Sequence, residues 1–186
     1  MKHVLIISGH TDLTKSVATK KILETFENEL PEAEILRLDS VYPDFNIDTN
    51  VEQQRVVKAD IIVFQFPVHW YNTPSLLSRW FEKTFIHGFS HGSTGDKLKG
   101  KKVILSVTAG APNEYFAENM PSKHSIDYYM SHIQSMCAMT KMEYIGCIFT
   151  GGVSYINRTE PQQILAQETT SVKHAEKVIN KIKELL

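Results

Sequence analysis

The sequence has no surplus of charge of either sign, since 20 Lys and Arg residues stand against 21 Asp and Glu residues and leave a formal net charge of -1. A chain this close to neutral lacks the basic surplus that drives binding to nucleic-acid backbones and to anionic membranes. We therefore expect that the protein binds no nucleic acid and does not insert into a membrane.

Cysteines and long apolar segments are also scarce. Cys137 and Cys147 form no CxxC pair and are too few for a disulfide framework or a metal site, so we expect buried thiols, no bound metal and a reducing, cytoplasmic location. The longest apolar runs, such as residues 4–7 and 61–64, fall far short of the roughly 20 residues that span a bilayer. The first residues also lack the apolar segment of a secretory signal.

The sequence does contain a regular alternation of apolar strands and amphipathic helices. Strands buried on both faces are predicted at residues 3–8, 60–66, 102–107 and 144–149, with a shorter candidate at 34–38. Helical patterns occupy residues 18–30, 73–85, 126–137 and 159–182. Thr73 is predicted as an N-cap with Pro74 as the first helical residue, and Thr159 with Gln162 as a capping box. Leu165 is expected among the inward-facing residues of the last helix.

This alternation predicts one α/β domain over residues 1–186. Five strands fit an open parallel sheet with helices on both faces, a three-layer sandwich of the flavodoxin-like order 2-1-3-4-5. In such sheets, ligands bind beyond the carboxyl ends of the strands, near the point where the strand order reverses. The loops after the first, third and fourth strands are therefore the candidate site. The connections 39–49 and 85–100 exceed the usual length, which favours a functional role for them.

The loop after the first strand, residues 8–17, leads from a buried strand into an amphipathic helix. Gly9 permits a sharp turn, and hydroxyl side chains including Ser16 join the unpaired N–H groups of the helix start in a cradle for a phosphate. His10 and Lys15 can add positive charge. The loop matches neither GxGxxG nor a P-loop, which argues against a NAD-binding Rossmann domain or a kinase. An ordinary strand-to-helix turn is the alternative.

The loop after the third strand carries three adjacent rings, His69, Trp70 and Tyr71, between two prolines. Such a turn presents flat surfaces and rigid backbone groups to a planar ligand. The alternative is that the rings pack against the next helix or against a subunit partner.

The loop after the fourth strand combines small residues with one tyrosine. Ala109, Gly110 and Ala111 let the backbone approach a ligand closely, and Tyr115 can close over it with its hydroxyl. A tight turn over residues 108–111 with no ligand is the alternative.

These loops carry a resemblance to a known family. Residues 66–71 read F-P-V-H-W-Y, and residues 80–85 read W-F-E-K-T-F. This is similar to the signature F-P-L-x-W-[FY]-x-x-P-x-x-L-K-x-W-[FIM]-[DE]-[RK]-V-[FL], with Val68, Ser78 and Thr84 as departures. The chain resembles the flavin-dependent NAD(P)H:quinone oxidoreductases of flavodoxin-like fold, in particular short bacterial forms related to the potassium-efflux ancillary reductases.

The resemblance implies a set of site residues. His10 and residues 16–18 would hold the FMN phosphate, and the loops after the third and fourth strands would line the isoalloxazine ring. The full set of implied cofactor contacts is His10, Ser16, Val17, Ala18, Pro67, Val68, His69, Trp70, Tyr71, Thr108, Ala109, Gly110, Ala111 and Tyr115. Tyr115, Tyr71 and Trp70 are the implied catalytic residues.

Three departures from the family pattern affect this set. The family's T-T-G-G is Thr108-Ala-Gly-Ala111 here, so one hydroxyl and one glycine are absent. His69 occupies a position that is often Gln or Tyr. The histidine that serves as a proton partner in some family members has no clear counterpart, since His124 has no certain alignment.

The implied activity is ping-pong transfer of hydride from NAD(P)H to FMN, with FAD less favoured, followed by two-electron reduction of a quinone or a related planar acceptor. The alternatives are an azo, nitro or free-flavin reductase, a non-catalytic flavodoxin-type electron carrier, and a regulatory subunit that associates peripherally with a membrane transporter.

A homodimer is also expected, because the family is usually dimeric. The sequence offers more apolar material than one helix stripe needs, and this material can equally fill the core; it comprises Tyr128, Tyr129, Met130, Met136 and Met139.

Overall fold

The structure, a computed structural model, describes residues 2–117 and 124–186. Within these residues lies a five-stranded sheet of order 2-1-3-4-5 in which every neighbouring pair of strands is parallel. The strands are β1 (Val4–Ser8), β2 (Glu34–Arg37), β3 (Ile61–Pro67), β4 (Lys102–Thr108) and β5 (Glu143–Thr150). The predicted fold class and strand order are confirmed, and each predicted strand agrees with these bounds to within one residue.

The central strands β1, β3 and β4 are mainly apolar because both faces of the sheet are covered. In β1, Leu5 and Ile7 pack into one core, whereas Val4 and Ile6 pack into another on the opposite face. Successive side chains of a strand point to opposite faces, so a strand between two helical layers buries side chains on both faces.

The helices form the two outer layers. They are α1 (Ala18–Glu29), α2 (Leu38–Val41), α3 (Thr49–Lys58), α4 (Ser75–Thr84), α5 (Ile126–Tyr129), α6 (Ser131–Thr140) and α7 (Pro161–Leu185). Helices α1 and α7 cover one face of the sheet, and α3, α4 and α6 contribute to the core on the other face.

Helix α3 has no counterpart among the predicted helices, and the reason is a buried carboxylate. Its two buried residues are Val56 and Glu52, so one of the core positions of the helix is filled by a charged residue type. Tyr42 Oη and Trp80 Nε1 donate to the Glu52 carboxylate at 2.8 and 2.9 Å. Burial raises the pKa of Glu52. A pattern that counts apolar residues misses a helix whose inward face is partly polar.

Two predicted helix starts are corrected. Pro74 has an extended ψ of 149° and is the N-cap of α4, so the helix begins one residue later than the predicted Thr73 cap requires. The predicted capping box of Thr159 and Gln162 is wrong, because α7 has Glu160 as its N-cap and no side chain caps its N-terminus. Pro161 at the first helical position is compatible with this start, because its φ suits a helix and the N–H that it lacks has no intrahelical acceptor there.

Two further predictions about the helices differ from the structure. The predicted helix 126–137 is interrupted at Met130, where α5 ends and α6 begins. Met130 is itself buried, so it belongs to the core and not to the surface. Leu165 is 63% exposed, and the inward face of α7 begins two residues later, at Gln167.

Both cysteines carry free thiols. Burial raises the pKa of each thiol to about 12, which makes Cys137 and Cys147 poor nucleophiles at neutral pH. Within residues 2–117 and 124–186, no helix combines the length and the apolar character that crossing a membrane requires.

Candidate functional site

A cleft of about 670 Å³ lies at the carboxyl edge of the sheet, where the order of the strands reverses. Its walls come from the loops after β1, β3, β4 and β5 and from helices α1 and α7. The lining residues are His10, Lys15, Ser16, Val17, Ala18, Thr19, Pro67, Val68, His69, Trp70, Thr108, Ala109, Gly110, Ala111, Val153, Ser154, Ile156 and Gln167. The loops after β1, β3 and β4, which the sequence predicts as the candidate site, therefore meet in one cavity.

The turn after β1 lies close against α4. The Gly9 N–H donates to the Gln65 carbonyl at 2.8 Å, and a Cβ at position 9 would lie 2.8 Å from the side chain of Leu77. Only glycine allows the chain to leave the strand at this point without moving α4. The following residue, His10, is thereby placed on the cleft wall.

The start of α1 forms one end of the cleft. Ser16 Oγ accepts from the Thr19 N–H at 3.0 Å and caps the helix, while Val17 and Ala18 carry first-turn N–H groups that an α-helix leaves without an intrahelical acceptor. The Thr19 hydroxyl is buried and has no hydrogen-bond partner among the described residues. Unpaired donors and the positive end of the helix dipole make this end suitable for an anion.

Two cations flank the anion end. Lys15 pairs with Asp12 at 2.7 Å, and Arg158 Nη1 donates to the Lys15 carbonyl at 3.4 Å. The hydrogen bond from Lys15, together with one from Thr14, lowers the pKa of Asp12 to about 2. Arg158 thus brings the segment before α7 against the turn before α1.

A tight hairpin after β3 forms the opposite wall. The His69 N–H donates to the Asn72 carbonyl at 2.9 Å, and the Asn72 N–H donates to the His69 carbonyl at 3.0 Å. The two residues between them, Trp70 and Tyr71, have φ values of 50° and 64°. This is the left-handed region that glycine and asparagine normally occupy in such turns, and each bulky residue there costs about 1–3 kcal/mol.

Trp70 is 95% exposed although it is a large apolar side chain on the rim of the cleft. Neither its backbone conformation nor its exposure stabilises the free protein. Strain and exposure at the same residue are typical of a group that is kept for binding.

The loop after β5 supplies a wall that sequence reasoning missed. The Ala109 N–H donates to the Thr150 carbonyl at 3.0 Å, and the Val153 N–H donates to the Ala109 carbonyl at 3.1 Å, so the loops after β4 and β5 are tied together. Val153, Ser154 and Ile156 line the cleft. The signal available in the sequence was Gly151-Gly152, directly after the last strand.

Gln167 completes this wall from α7. It is buried, and its side-chain nitrogen donates to the Asn157 carbonyl at 2.8 Å. This contact holds the loop after β5 against the helix.

Beneath the cleft lies a buried polar layer. His174 of α7 bonds the Ser106 hydroxyl through Nε2 and the Thr150 hydroxyl through Nδ1, both at 2.8 Å. Ser106 Oγ donates to the side-chain carbonyl of Gln65. Burial, with a smaller effect of Lys177, lowers the pKa of His174 to about 4, so this histidine is neutral at pH 7.

The two predicted catalytic tyrosines lie beside the cleft and not in its lining. Their hydroxyl oxygens are 3.0 Å apart, and the Tyr71 ring packs on Tyr129 with the ring centroids 4.8 Å apart. Phe116 packs edge-on against Tyr115 and Phe149. An aromatic cluster therefore extends the hairpin wall outward from Trp70.

The comparisons with known proteins agree with the fold. A family model described as a flavodoxin-like fold matches residues 2–174. The chain belongs to this family.

One curated relative is the glutathione-regulated potassium-efflux system ancillary protein KefF of Enterobacter sp. (strain 638), which is 43% identical over 113 residues. The match covers 61% of this chain and spans 64% of that relative's length.

Two solved structures share the fold. A general stress protein 14 from Treponema denticola in complex with FMN has a TM-score of 0.85 at 24% identity, over 96% of this chain and 98% of its own. A protein from P. pentosaceus described as an NADPH-quinone reductase has a TM-score of 0.73 at 21% identity, over 94% and 98%. The predicted family resemblance is confirmed.

The predicted site residues divide into two groups. All of the predicted cofactor contacts line the cleft except Tyr71 and Tyr115, which lie next to it. The lining also includes residues absent from the predicted set: Lys15, Thr19, Val153, Ser154, Ile156 and Gln167. The roles of these residues in ligand binding stay predictions. Among residues 2–117 and 124–186, no group of three or more His, Cys, Asp or Glu side chains is placed to hold a metal ion.

Proposed function

We propose that the protein is a flavin-dependent NAD(P)H:quinone oxidoreductase and that its cleft binds FMN. The observation that carries this proposal is the meeting of two unlike ends in one cavity. One end is a helix start with unpaired donors, and the other is a rigid hairpin beside a loop of small residues. A phosphate joined to a flat heterocycle has the complementary shape and charge.

The anion end fits the phosphate of FMN. The buried Thr19 hydroxyl lines the cleft and has no partner among the described residues, so a ligand acceptor there would satisfy it. The N–H groups of Val17 and Ala18 add donors, and the α1 dipole favours negative charge. Lys15 and Arg158 supply positive charge at the same end.

The opposite end fits the ring system. Pro67 and Val68 lie beside the loop after β4, since the Val68 N–H donates to the Thr108 carbonyl at 2.7 Å, and together with the small residues Ala109, Gly110 and Ala111 they line the cleft. A Cβ at Gly110 would lie in van der Waals contact with Ser154, at 3.5 Å, so the loops after β4 and β5 are close together here. The cleft volume of about 670 Å³ is within the roughly 300–1,000 Å³ typical of small-molecule sites.

When bound, FMN supplies the hydride-transfer chemistry, and the protein supplies binding and orientation. Ser16 keeps the first turn of α1 in place to hold the phosphate, and the hairpin after β3 fixes one edge of the ring. Trp70 on the rim offers a flat apolar face to a planar acceptor. The Tyr71 and Tyr115 hydroxyls, 3.0 Å apart, can share and donate a proton beside the acceptor.

Purification tests the proposal. The protein is expected to bind FMN and to oxidise NADH or NADPH rapidly only when a quinone such as a naphthoquinone is added. A protein that takes up no FMN would refute the proposal, and one that binds FMN but does not oxidise either nicotinamide would support an electron carrier instead.

Two alternative functions keep specific support. The relative named as a potassium-efflux ancillary protein favours a regulatory role beside a membrane transporter, with peripheral association. A FMN-dependent NADH-azoreductase from Bacillus anthracis shares the fold, with a TM-score of 0.63, which keeps an azo acceptor open. Parallel assays with a quinone and an azo dye separate the two acceptors.

We also propose a cytoplasmic homodimer. Tyr128 and Met139 are each more than half exposed, which leaves apolar surface on α5 and α6 for a second copy. Sedimentation at micromolar concentration tests this arrangement, and a monomer would contradict it.

A further inference from the structure

The turn before α1 is held from outside by the segment that follows β2. The Leu13 N–H donates to Asp39 Oδ2 at 2.9 Å, although the two residues are 26 positions apart in the chain. Asp39 lies in the first turn of α2, at the start of the long connection 39–49. Among the residues that the structure describes, the lining of the cleft includes none from α2 or from this connection. Asp39 can therefore affect the cleft only through the turn that it holds.

Leu13 is the first residue of a short 3₁₀ helix, Leu13–Lys15. The N–H groups at the start of a helix have no acceptor within that helix. Asp39 supplies the acceptor for Leu13, and a carboxylate forms a stronger hydrogen bond with an N–H than a neutral oxygen does. The Leu13 side chain is buried in the core that the sheet forms with α1 and α7. Leu13 is thus fixed through both its main chain and its side chain.

A continuous set of hydrogen bonds leads from Leu13 to the anion end of the cleft. The Leu13 carbonyl accepts from the Ser16 N–H at 3.1 Å. Ser16 Oγ in turn accepts from the Thr19 N–H at 3.0 Å, and both of these residues line the cleft. A displacement of Leu13 would therefore be passed on to the residues that present donors at this end.

The same turn sets the orientation of His10, which also lines the cleft. The Asp12 N–H donates to His10 Nδ1 at 3.1 Å, so Nδ1 is an acceptor and the remaining proton of the neutral ring is on Nε2. Asp12 directly precedes Leu13 in the chain. The bond between Leu13 and Asp39 therefore also steadies the donor that orients the His10 ring.

We propose that Asp39 is a positioning residue for binding of the flavin phosphate: it holds Leu13, and through Leu13 the residues at the anion end of the cleft. The inference rests on the proposed function. Asp39 also carries a negative charge close enough to His10 to interact with it, and this charge opposes the binding of a dianion. The accepting oxygen of Asp39, and not its charge, is therefore the part that favours FMN.

The test separates the acceptor from the charge. Asp39→Asn keeps an oxygen for the Leu13 N–H, whereas Asp39→Ala removes it, and both variants lack the charge. FMN and riboflavin are titrated into apoprotein prepared from the wild type and from each variant. We expect a Kd for FMN about fivefold to tenfold higher in Asp39→Ala than in Asp39→Asn, which is the typical net effect of one hydrogen bond. The Kd for riboflavin, which has no phosphate, should be similar in the two variants.

Asp48→Ala is the matched control. Asp48 is the N-cap of α3 and accepts from the Val51 N–H at 3.1 Å, and it does not line the cleft. This variant should lower the thermal stability and leave the Kd of both flavins unchanged. If Asp39→Ala does not fold, Asp39→Glu is compared with the wild type, because the charge is then constant and the carboxylate is displaced by one methylene. The Kd for FMN should rise in Asp39→Glu, and the Kd for riboflavin should not.

Equal Kd values for FMN in Asp39→Ala and Asp39→Asn would overturn the inference and leave the proposed function intact. The same holds if Asp39→Ala weakens the binding of both flavins equally, if Asp48→Ala weakens the binding of FMN as much, or if Asp39→Glu, where it is needed, binds FMN like the wild type. A wild-type protein that binds no FMN would overturn the proposed function together with the inference.

Discussion

Protonation of the buried His174 is expected to destabilise the protein under mildly acidic conditions. Both ring nitrogens of His174 are bonded to hydroxyls, of Ser106 and Thr150, and the residue lies between α7 and the sheet. Burial is the main reason why its pKa falls to about 4 in the folded protein. In the unfolded chain the pKa returns to about 6.5.

The size and sign of the effect follow from these two values. Below pH 6.5 the unfolded state binds a proton that the folded state binds only near pH 4, so the free energy of unfolding falls as the pH falls through this window. Between pH 7.5 and pH 5 this loss amounts to about 2 kcal/mol. Above pH 7 the group contributes no pH dependence, because both states are neutral.

The assay is urea unfolding at pH 7.5 and pH 5 for the wild type and for His174→Gln, which can still bond Ser106. The variant is expected to lose about 1–2 kcal/mol at pH 7.5, since the Thr150 hydroxyl loses its partner. On acidification from pH 7.5 to pH 5, the free energy of unfolding of the variant should fall by about 2 kcal/mol less than that of the wild type. The two proteins are therefore expected to be similar in stability at pH 5. His10, His69 and His132 also have lowered pKa values, and their contribution cancels in the difference. An equal loss on acidification in both proteins would refute the reasoning.

Three further predictions concern the cleft. Trp70→Gly should stabilise the apoprotein against thermal unfolding by about 1 kcal/mol, because glycine adopts a φ of 50° without strain and the Trp70 side chain buries almost nothing. Trp70→Ala keeps the strain and should not stabilise the protein, so an equal effect of the two substitutions would contradict the strain argument. Ser16→Ala should lower the free energy of unfolding by about 1 kcal/mol, because α1 loses its capping hydroxyl. It should also raise the Kd for FMN more than the Kd for riboflavin, which has no phosphate. An equal increase for both flavins would place Ser16 away from the phosphate. Tyr115→Phe should lower kcat for quinone reduction more than it raises the Kd for FMN, and an unchanged kcat would remove the hydroxyl from the mechanism.

The parallel sheet was predictable because its strands consist of apolar residues on both faces. Runs such as residues 61–64 have no polar alternation, which is typical of a strand between two helical layers. Helix α3 was not predictable from the same rule, because Glu52 occupies a core position and is satisfied by Tyr42 and Trp80 from other elements. Long-range partners of this kind are absent from any local pattern.

The candidate site also combines features that the sequence predicts with features that it does not. The turn before α1 and the hairpin after β3 carry local signals, a glycine with capping hydroxyls in one case and three adjacent rings in the other. The left-handed conformation of Trp70 and Tyr71 carries no such signal, since the chain uses two bulky residues where a tight turn normally has asparagine and glycine. The wall formed by Val153, Ser154 and Gln167 arises only when α7 folds back over the sheet.

The binding of FMN in the cleft is tested most directly by the emission of the two tryptophans. Trp70 is 95% exposed on the rim of the cleft, whereas Trp80 is fully buried and donates to Glu52, so only Trp70 should emit at the long wavelengths of a water-exposed indole. Titration of the apoprotein with FMN should quench the long-wavelength component to saturation at one FMN per chain, and Trp70→Phe should lack this component. If other spectra show that the protein is folded but FMN leaves the long-wavelength component unchanged, the result would contradict the binding of FMN in this cleft.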